Sequence, residues 1–313
     1  MKHIATFIGL GLFFFSFVNI ISAHADCTPP PAGIVGWWKG DGTAVDTVTG
    51  NNGTVLNAGY TTNGVVGSAF AFDPENNPYG TYSGVQIADS PAYALTNALT
   101  IEGWVRPRGD GYVIFFRGDH RPGTDPYILG MNGNNVLSFY ISDESGNSAK
   151  AETTVAYGEW IHLAATYDSS SGTMSLYTNG VLAAQTVTSV QPFGLLATDQ
   201  SPGVGIGNLN DGGNNFPFYG DIDEIALYNR ALTTNEIIAI YNAGSAGKCA
   251  LPPECTSPRR AWSVGGPAKA TPMILPAPTM AAHKISTTPT AKSVRLLSST
   301  VRVPMCSSQP APA

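Results

Sequence analysis

The chain has 313 residues, 4 cysteines and a formal net charge of −6, and that charge is unevenly placed. Between Cys27 and Cys249, 8 lysines and arginines stand against 20 aspartates and glutamates, a local charge of −12; from Ala250 onward 7 stand against 1. So acidic a body argues against nucleic acid and anionic membranes as partners, whose phosphates it would repel.

In chain order, Met1-Lys2-His3 precedes an apolar run from Ile4 to Ile21 and an Ala23-His24-Ala25 cleavage pattern. These features predict a secretory signal peptide over 1–25, hence an exported, extracellular protein. No later segment is apolar enough to span a bilayer, so membrane insertion is not expected. In an oxidising compartment Cys27, Cys249, Cys255 and Cys306 predict disulfides, with three connectivities open. Cys27 and Cys249 bracket one continuous pattern of roughly 220 residues, and a bridge between them would close a domain over 26–250.

Within that span, short apolar alternations between Gly/Asn turn signals predict strands over 34–38, 69–72, 84–87, 99–105, 112–117, 127–131, 136–141, 160–167, 173–178, 181–186, 203–206 and 221–228. This density predicts an all-β fold, a two-sheet antiparallel jelly-roll sandwich. Asn179-Gly180 marks a type I′ hairpin turn. One short C-terminal helix is expected after Thr233, which with Glu236 forms a capping box; Ile237, Ile240 and Tyr241 share a face and Gly244 supplies the stop. Trp37, Trp104 and Trp160 fall on strands and read as core.

Four segments then carry a resemblance: 36–42 (GWWKGDG) with Asp46 and 50–53 (GNNG), 98–105 (ALTIEGWV), 158–168 (GEWIHLAATYD) with 176–180 (LYTNG), and 219–232 (YGDIDEIALYNRAL). In this order they resemble the opening, central strand, main hairpin and closing strand of a laminin-G-like domain of the concanavalin A-like lectin/glucanase kind. The resemblance implies a non-catalytic module recognising a glycan or an extracellular protein in adhesion, with a structural spacer without ligand as the alternative and a glycoside hydrolase behind it.

The tail over 251–313 is basic, rich in Pro and Ala, and expected to lack a packed fold. Cys255-Thr256-Ser257-Pro258 echoes Cys27-Thr28-Pro29-Pro30 before all likeness stops. Read one base back, residues 261–281 permit a sequence that aligns without a gap on 34–53. The Met273 and Met280 codons there force an aspartate opposite Asp46 and a glycine opposite Gly53. The tail is therefore read as an out-of-frame remnant of a second repeat, with a disordered arm as the plainer alternative.

Three chemistries are considered. Calcium wants several oxygen ligands, and Asp41 and Asp46 in Gly/Asn-rich loops, with Asp223 on the closing strand, can supply them; the resemblance implies a structural calcium joining these regions. For a glycan, the loops offer Tyr79, Tyr82, Tyr112, His120, Arg121, Asp125, Asn132, Asn134, Asn214, Asn215 and Phe216, of which Tyr82, Arg121, Asn132, Asn214 and Phe216 are taken as the ligand-binding set. For catalysis, related endoglucanases alternate acids along one strand. Here alternation puts Asp221 and Asp223 on one face and Glu224 on the other, and His162 reads as a packed strand residue, so no catalytic residues are assigned.

Overall fold

Hydrophobic alternation condenses into two antiparallel sheets among the described residues, which in this computed structural model are 26–72, 83–119, 121, 125–197, 203–208 and 215–251. The expected signal peptide, the tail beyond Leu251, Tyr82 and Asn214 lie outside them. The strands are β1 (Ile34–Trp38), β2 (Thr54–Leu56), β3 (Gly59–Thr61), β4 (Ala69–Phe72), β5 (Gly84–Ile87), β6 (Ala98–Pro107), β7 (Val113–Gly118), β8 (Tyr127–Met131), β9 (Val136–Ser142), β10 (Ser148–Thr154), β11 (Ile161–Asp168), β12 (Thr173–Thr178), β13 (Val181–Val187), β14 (Gly203–Ile206) and β15 (Gly220–Tyr228). One helix follows, α1 (Thr234–Ala243).

One sheet has eight strands in the order β13-β12-β11-β6-β15-β4-β3, with β1 also paired to β15; the other has seven in the order β10-β9-β8-β7-β14-β5-β2. The twelve expected strands all appear, while β2, β3 and β10 were not anticipated. The sandwich core between the sheets takes alternate residues from most strands, with the alternation broken at the bulges of β7 and β15. Leu99, Ile101 and Val105 of β6 enter it, as do Leu137, Phe139 and Ile141 of β9 and Ile222, Ile225 and Leu227 of β15. Each such fully buried aliphatic or aromatic side chain contributes about 1.5–3 kcal/mol. Adjacent residues go to opposite faces: Trp38 joins the intersheet core, whereas Trp37 lies outside it against α1. Trp37 and Trp104 are buried as expected; Trp160 is only half-buried, its indole N–H donating to the Asn63 carbonyl at 3.1 Å.

The two ends of the domain meet. Cys27 and Cys249 form a disulfide, and Thr28 pairs in parallel with Lys248 beside it. Asn179 and Gly180 both take positive φ, 51° and 78°, giving the expected hairpin turn. At α1 the capping box is present: the Thr233 side chain accepts from the Glu236 N–H, and the Glu236 carboxylate accepts from the Thr233 N–H at 2.8 Å. Ile237, Ile240 and Ala243 are the buried helical residues. No helix among the described residues is long and apolar enough to cross a membrane.

The cap yields a pH-dependent prediction. Hydrogen bonds from Arg230 first, and then from Thr233, hold the Glu236 carboxyl down to about 2, below its ordinary 4.5. A depressed folded value stabilises the protein fully above 4.5, and that stabilisation is lost as pH falls from 4.5 towards 2. Replacing Glu236→Gln is expected to shrink the fall in melting temperature between pH 6 and pH 3. An equally large fall would show that the cap is not the acid-sensitive element.

Candidate binding site

The outer face of the eight-stranded sheet is covered over its middle strands, while its edge strands β13 and β3 stay exposed. Ile237 and Ile240 of α1, with Leu232, pack on Trp37, Tyr177, Ala226 and Tyr228. Beneath this cover lies a buried polar network. Lys248 Nζ donates to Glu102 Oε1 at 3.0 Å and to the Glu224 carbonyl at 3.1 Å, with Glu224 Oε2 at 3.4 Å. Trp37 Nε1 donates to Glu224 Oε2 at 2.9 Å, and His162 Nε2 sits 3.1 Å from Glu102 Oε2. Burial pushes the Glu102 carboxyl up, but Lys248 and His162 more than offset it and leave the group below its ordinary value. Burial likewise works against the Lys248 ammonium, and Glu102 and Glu224 hold it protonated.

Glu224 corrects the alternation argument. A bulge between Asp223 and Ala226 in the pairing of β15 with β6 puts Glu224 at φ 58°, so its carboxylate reaches Trp37 and Lys248 on the outer side. It therefore shares that side with Asp221, which accepts from Arg106 Nε at 2.8 Å and Arg108 Nη2 at 2.6 Å. Asp221, Asp223, Glu224, Glu102 and His162 are all buried. These acids face the helix cover, neighbouring cations or, for Asp223, the backbone of Val65 and Val66 rather than a cleft, the opposite of what a pair of glycosidic carboxylates needs.

The expected cation residues separate. Asp223 Oδ2 accepts the Val65 and Val66 N–H groups at 2.7 and 2.8 Å, and Asp41 Oδ1 accepts the Ser68 N–H at 2.9 Å, so both carboxylates hold one segment, 65–68. Asp223 Oδ1 is buried with no hydrogen-bond partner. Burial first, then the nearby Glu224 and Asp41 carboxylates, push the Asp223 carboxyl up to about 7 against the pull of its two backbone donors. Asp46 does not join this pair as a spare ligand. Its carboxylate accepts the N–H groups of Trp37, Val48, Thr49 and Asn51 at 3.0–3.2 Å and the Thr49 hydroxyl, which saturates its lone pairs. It organises the loop over 46–53. Among the described residues no group of three or more His, Cys, Asp or Glu side chains is placed to hold a metal ion. An orphaned carboxylate oxygen beside a second aspartate does fit a hard cation, whose remaining ligands would be main-chain carbonyls.

The outer face of the seven-stranded sheet is different. It carries a cleft of about 510 Å³ over β8, β9 and β10. Tyr112 and Phe216 form one wall, edge to face at 5.7 Å between ring centroids and 50% and 37% exposed. The outward residues of the strands make the floor, among them Ile128, Gly130, Ser138 and Tyr140, with Asn132 and Lys150 opposite. Gly130 is required: a Cβ there would meet the Tyr112 carbonyl oxygen at 2.2 Å. Of the five residues expected to bind ligand, Asn132 and Phe216 line this cleft. Arg121 does not; its guanidinium is bonded to Asp119, with Nη2 to Oδ2 at 2.7 Å, and lies 5.0 Å from the Phe193 ring. Tyr140, Ser138 and Lys150 were missed, because they sit on strands rather than loops.

Comparison with known proteins agrees with this architecture. The family model for the concanavalin A-like lectin/glucanases superfamily matches residues 79–238. The chain is 37% identical over 117 residues to the Pentraxin-related protein PTX3 of Mus musculus, covering 33% of this chain and 30% of that protein. It is 26% identical over 159 residues to Pappalysin-1 of Mus musculus, 46% of this chain and 10% of that protein. The chain thus spans about a third or less of these curated relatives. Among solved structures, the botulinum neurotoxin serotype C1 binding domain superposes with a TM-score of 0.51 at 16% identity, over 67% of this chain and 52% of that chain, and shows the same fold. Domain 4 of AbnA, a GH43 extracellular arabinanase from Geobacillus stearothermophilus solved with arabinotriose, gives a TM-score of 0.49 at 20% identity, over 66% of this chain and 96% of that chain.

The buried network predicts its own signature. Lys248→Met leaves two carboxylates without their cation and should cost about 3–5 kcal/mol in denaturant unfolding, with Glu102→Gln added to it restoring part of the loss. A change near zero for Lys248→Met would mean that the network is not ionic.

Proposed function

The chain belongs to the concanavalin A-like lectin/glucanase superfamily, and from that premise we propose that it is an extracellular, non-catalytic module that binds carbohydrate on the outer face of its seven-stranded sheet. The observation that carries this reading is the contrast between the two outer faces. One is covered over its middle strands by α1 and the segment around Lys248, while the other, among the described residues, is open and presents the Tyr112–Phe216 aromatic pair above polar side chains. Sugars are held in this way, with C–H faces on aromatic rings and hydroxyls on amide, hydroxyl and charged groups. The Cys27–Cys249 disulfide supports export, since such bridges persist in oxidising compartments. The burial of the acid cluster supports a non-catalytic role.

We extend the proposal to a structural calcium ion held by Asp41 and Asp223. When bound it supplies positive charge between two like-charged carboxylates and ties the segment over 65–68 to the closing strand. The orphaned Asp223 Oδ1 supports it.

Two measurements test the glycan cleft and the calcium ion. On a glycan array the protein should bind at least one oligosaccharide, and Tyr112→Ala with Phe216→Ala should weaken that binding tenfold or more, at about 1–2 kcal/mol per aromatic contact, with the fold intact by circular dichroism. Binding unmoved by both substitutions would place the ligand elsewhere. Separately, calcium should raise the melting temperature and a chelator lower it, and Asp223→Asn should abolish the difference. A chelator-insensitive melting curve removes the metal.

A further inference from the structure

The register of β8, β9 and β10 sets the charges of the cleft in order. Gly130 lies opposite Ser138, and Ser138 opposite Glu152; in the next outward row Ile128 lies opposite Tyr140, and Tyr140 opposite Lys150. Two inter-strand steps make each row roughly 10 Å across, the width of one sugar chain with a side-chain wall on each side. The aromatic wall stands at the β8 end, where Gly130 keeps the floor low, and Lys150 and Glu152 stand at the β10 end.

At that end the charges are already matched. Lys150 Nζ bonds Glu152 Oε1 at 2.9 Å, and Asn132 Nδ2 reaches the same oxygen at 3.4 Å. Both charged side chains keep solvent access, 54% for Lys150 and 31% for Glu152. Asp125 also lines the cleft, and the surrounding domain carries −12. Lys150 is thus the cleft's one lining cation among the described residues, and a carboxylate holds it.

We infer that the cleft selects uncharged glycans and that Lys150, Glu152 and Asn132 form the clamp that sets this selectivity. The inference rests on the reading of the cleft as the binding face. A sugar hydroxyl both donates and accepts, so the clamp offers each ring complementary partners: ammonium and amide N–H groups to donate, a carboxylate to accept. The carboxylate of a uronate, or a sulfate group, only accepts. It would have to share Lys150 with Glu152 and enter a field dominated by carboxylates, a like-charge approach that costs affinity.

The test is titration calorimetry of the mature chain with two sets of probes, neutral oligosaccharides of glucose, xylose, arabinose and galactose, and their uronic-acid or sulfated counterparts, each at low and high salt. The expected result is binding within the neutral set only, at an affinity unmoved by salt, with Glu152→Gln weakening it about tenfold. The clamp is overturned, and the binding face kept, if the charged set binds, weakens with salt and gains affinity on Glu152→Gln. If neither set binds the unaltered protein, the binding face falls and the clamp with it. Tyr112→Ala separates these cases, because it weakens any ligand of the cleft whatever that ligand's charge.

Discussion

The pairing of β15 with three strands, β6 along one edge and β4 then β1 along the other, is the constraint from which the rest follows. The last strand of the domain lies between β6 and β4 and also pairs with β1, so the first and final segments of the body are joined in the middle of one sheet. That placement delivers α1 and Lys248 to the outer surface immediately after the strand ends. It also forces the bulge at 223–226, because β15 must satisfy Trp104 and Glu102 of β6 while its core residues Ile222 and Ile225 keep facing inward. Glu224, in the left-handed region, is the residue that absorbs the mismatch.

From this single arrangement the two faces of the sandwich acquire different chemistry. Outside the eight-stranded sheet the bulge and the returning chain concentrate Glu102, His162, Glu224 and Lys248 under a helix, where the Lys248 ammonium bridges the two carboxylates and solvent is excluded. Water-poor ion networks of this kind fix geometry and resist change, but they do not meet ligands. Among the described residues the seven-stranded sheet has no such lid over β8 to β10, and its outward side chains define a surface that is aromatic at one end and polar at the other. The family's fold alone fixes no ligand; the side chains on that open face carry the functional reading.

Much of the architecture was legible because the alternation is strong wherever large apolar residues alternate with polar ones, as in β6 and β9, and because the capping box at Thr233 and the Asn179-Gly180 turn are short-range signals. The strand β10 was not, since its sequence Ser-Ala-Lys-Ala-Glu-Thr-Thr sets only alanines against charged residues and gives little hydrophobic contrast. With it went Ser148 and Lys150 of the cleft lining and the neighbouring Glu152, while the loop residues Tyr112, Asn132 and Phe216 were in view. Asp46 shows the converse. An aspartate in a Gly/Asn-rich loop is compatible with a cation or with turn chemistry, and here its oxygens are consumed by backbone donors. Glu224 could not have been placed, because a bulge at a non-glycine residue leaves no mark in a period-two pattern.

Amide hydrogen exchange with and without a mixture of neutral oligosaccharides tests the central claim most directly, since it asks which face of the sandwich the ligand touches. The account predicts added protection confined to 127–142 and 148–154, with the segments around Tyr112 and Phe216. Protection of α1 and the chain ends, or of the loop over 41–53 with 65–68, would contradict it.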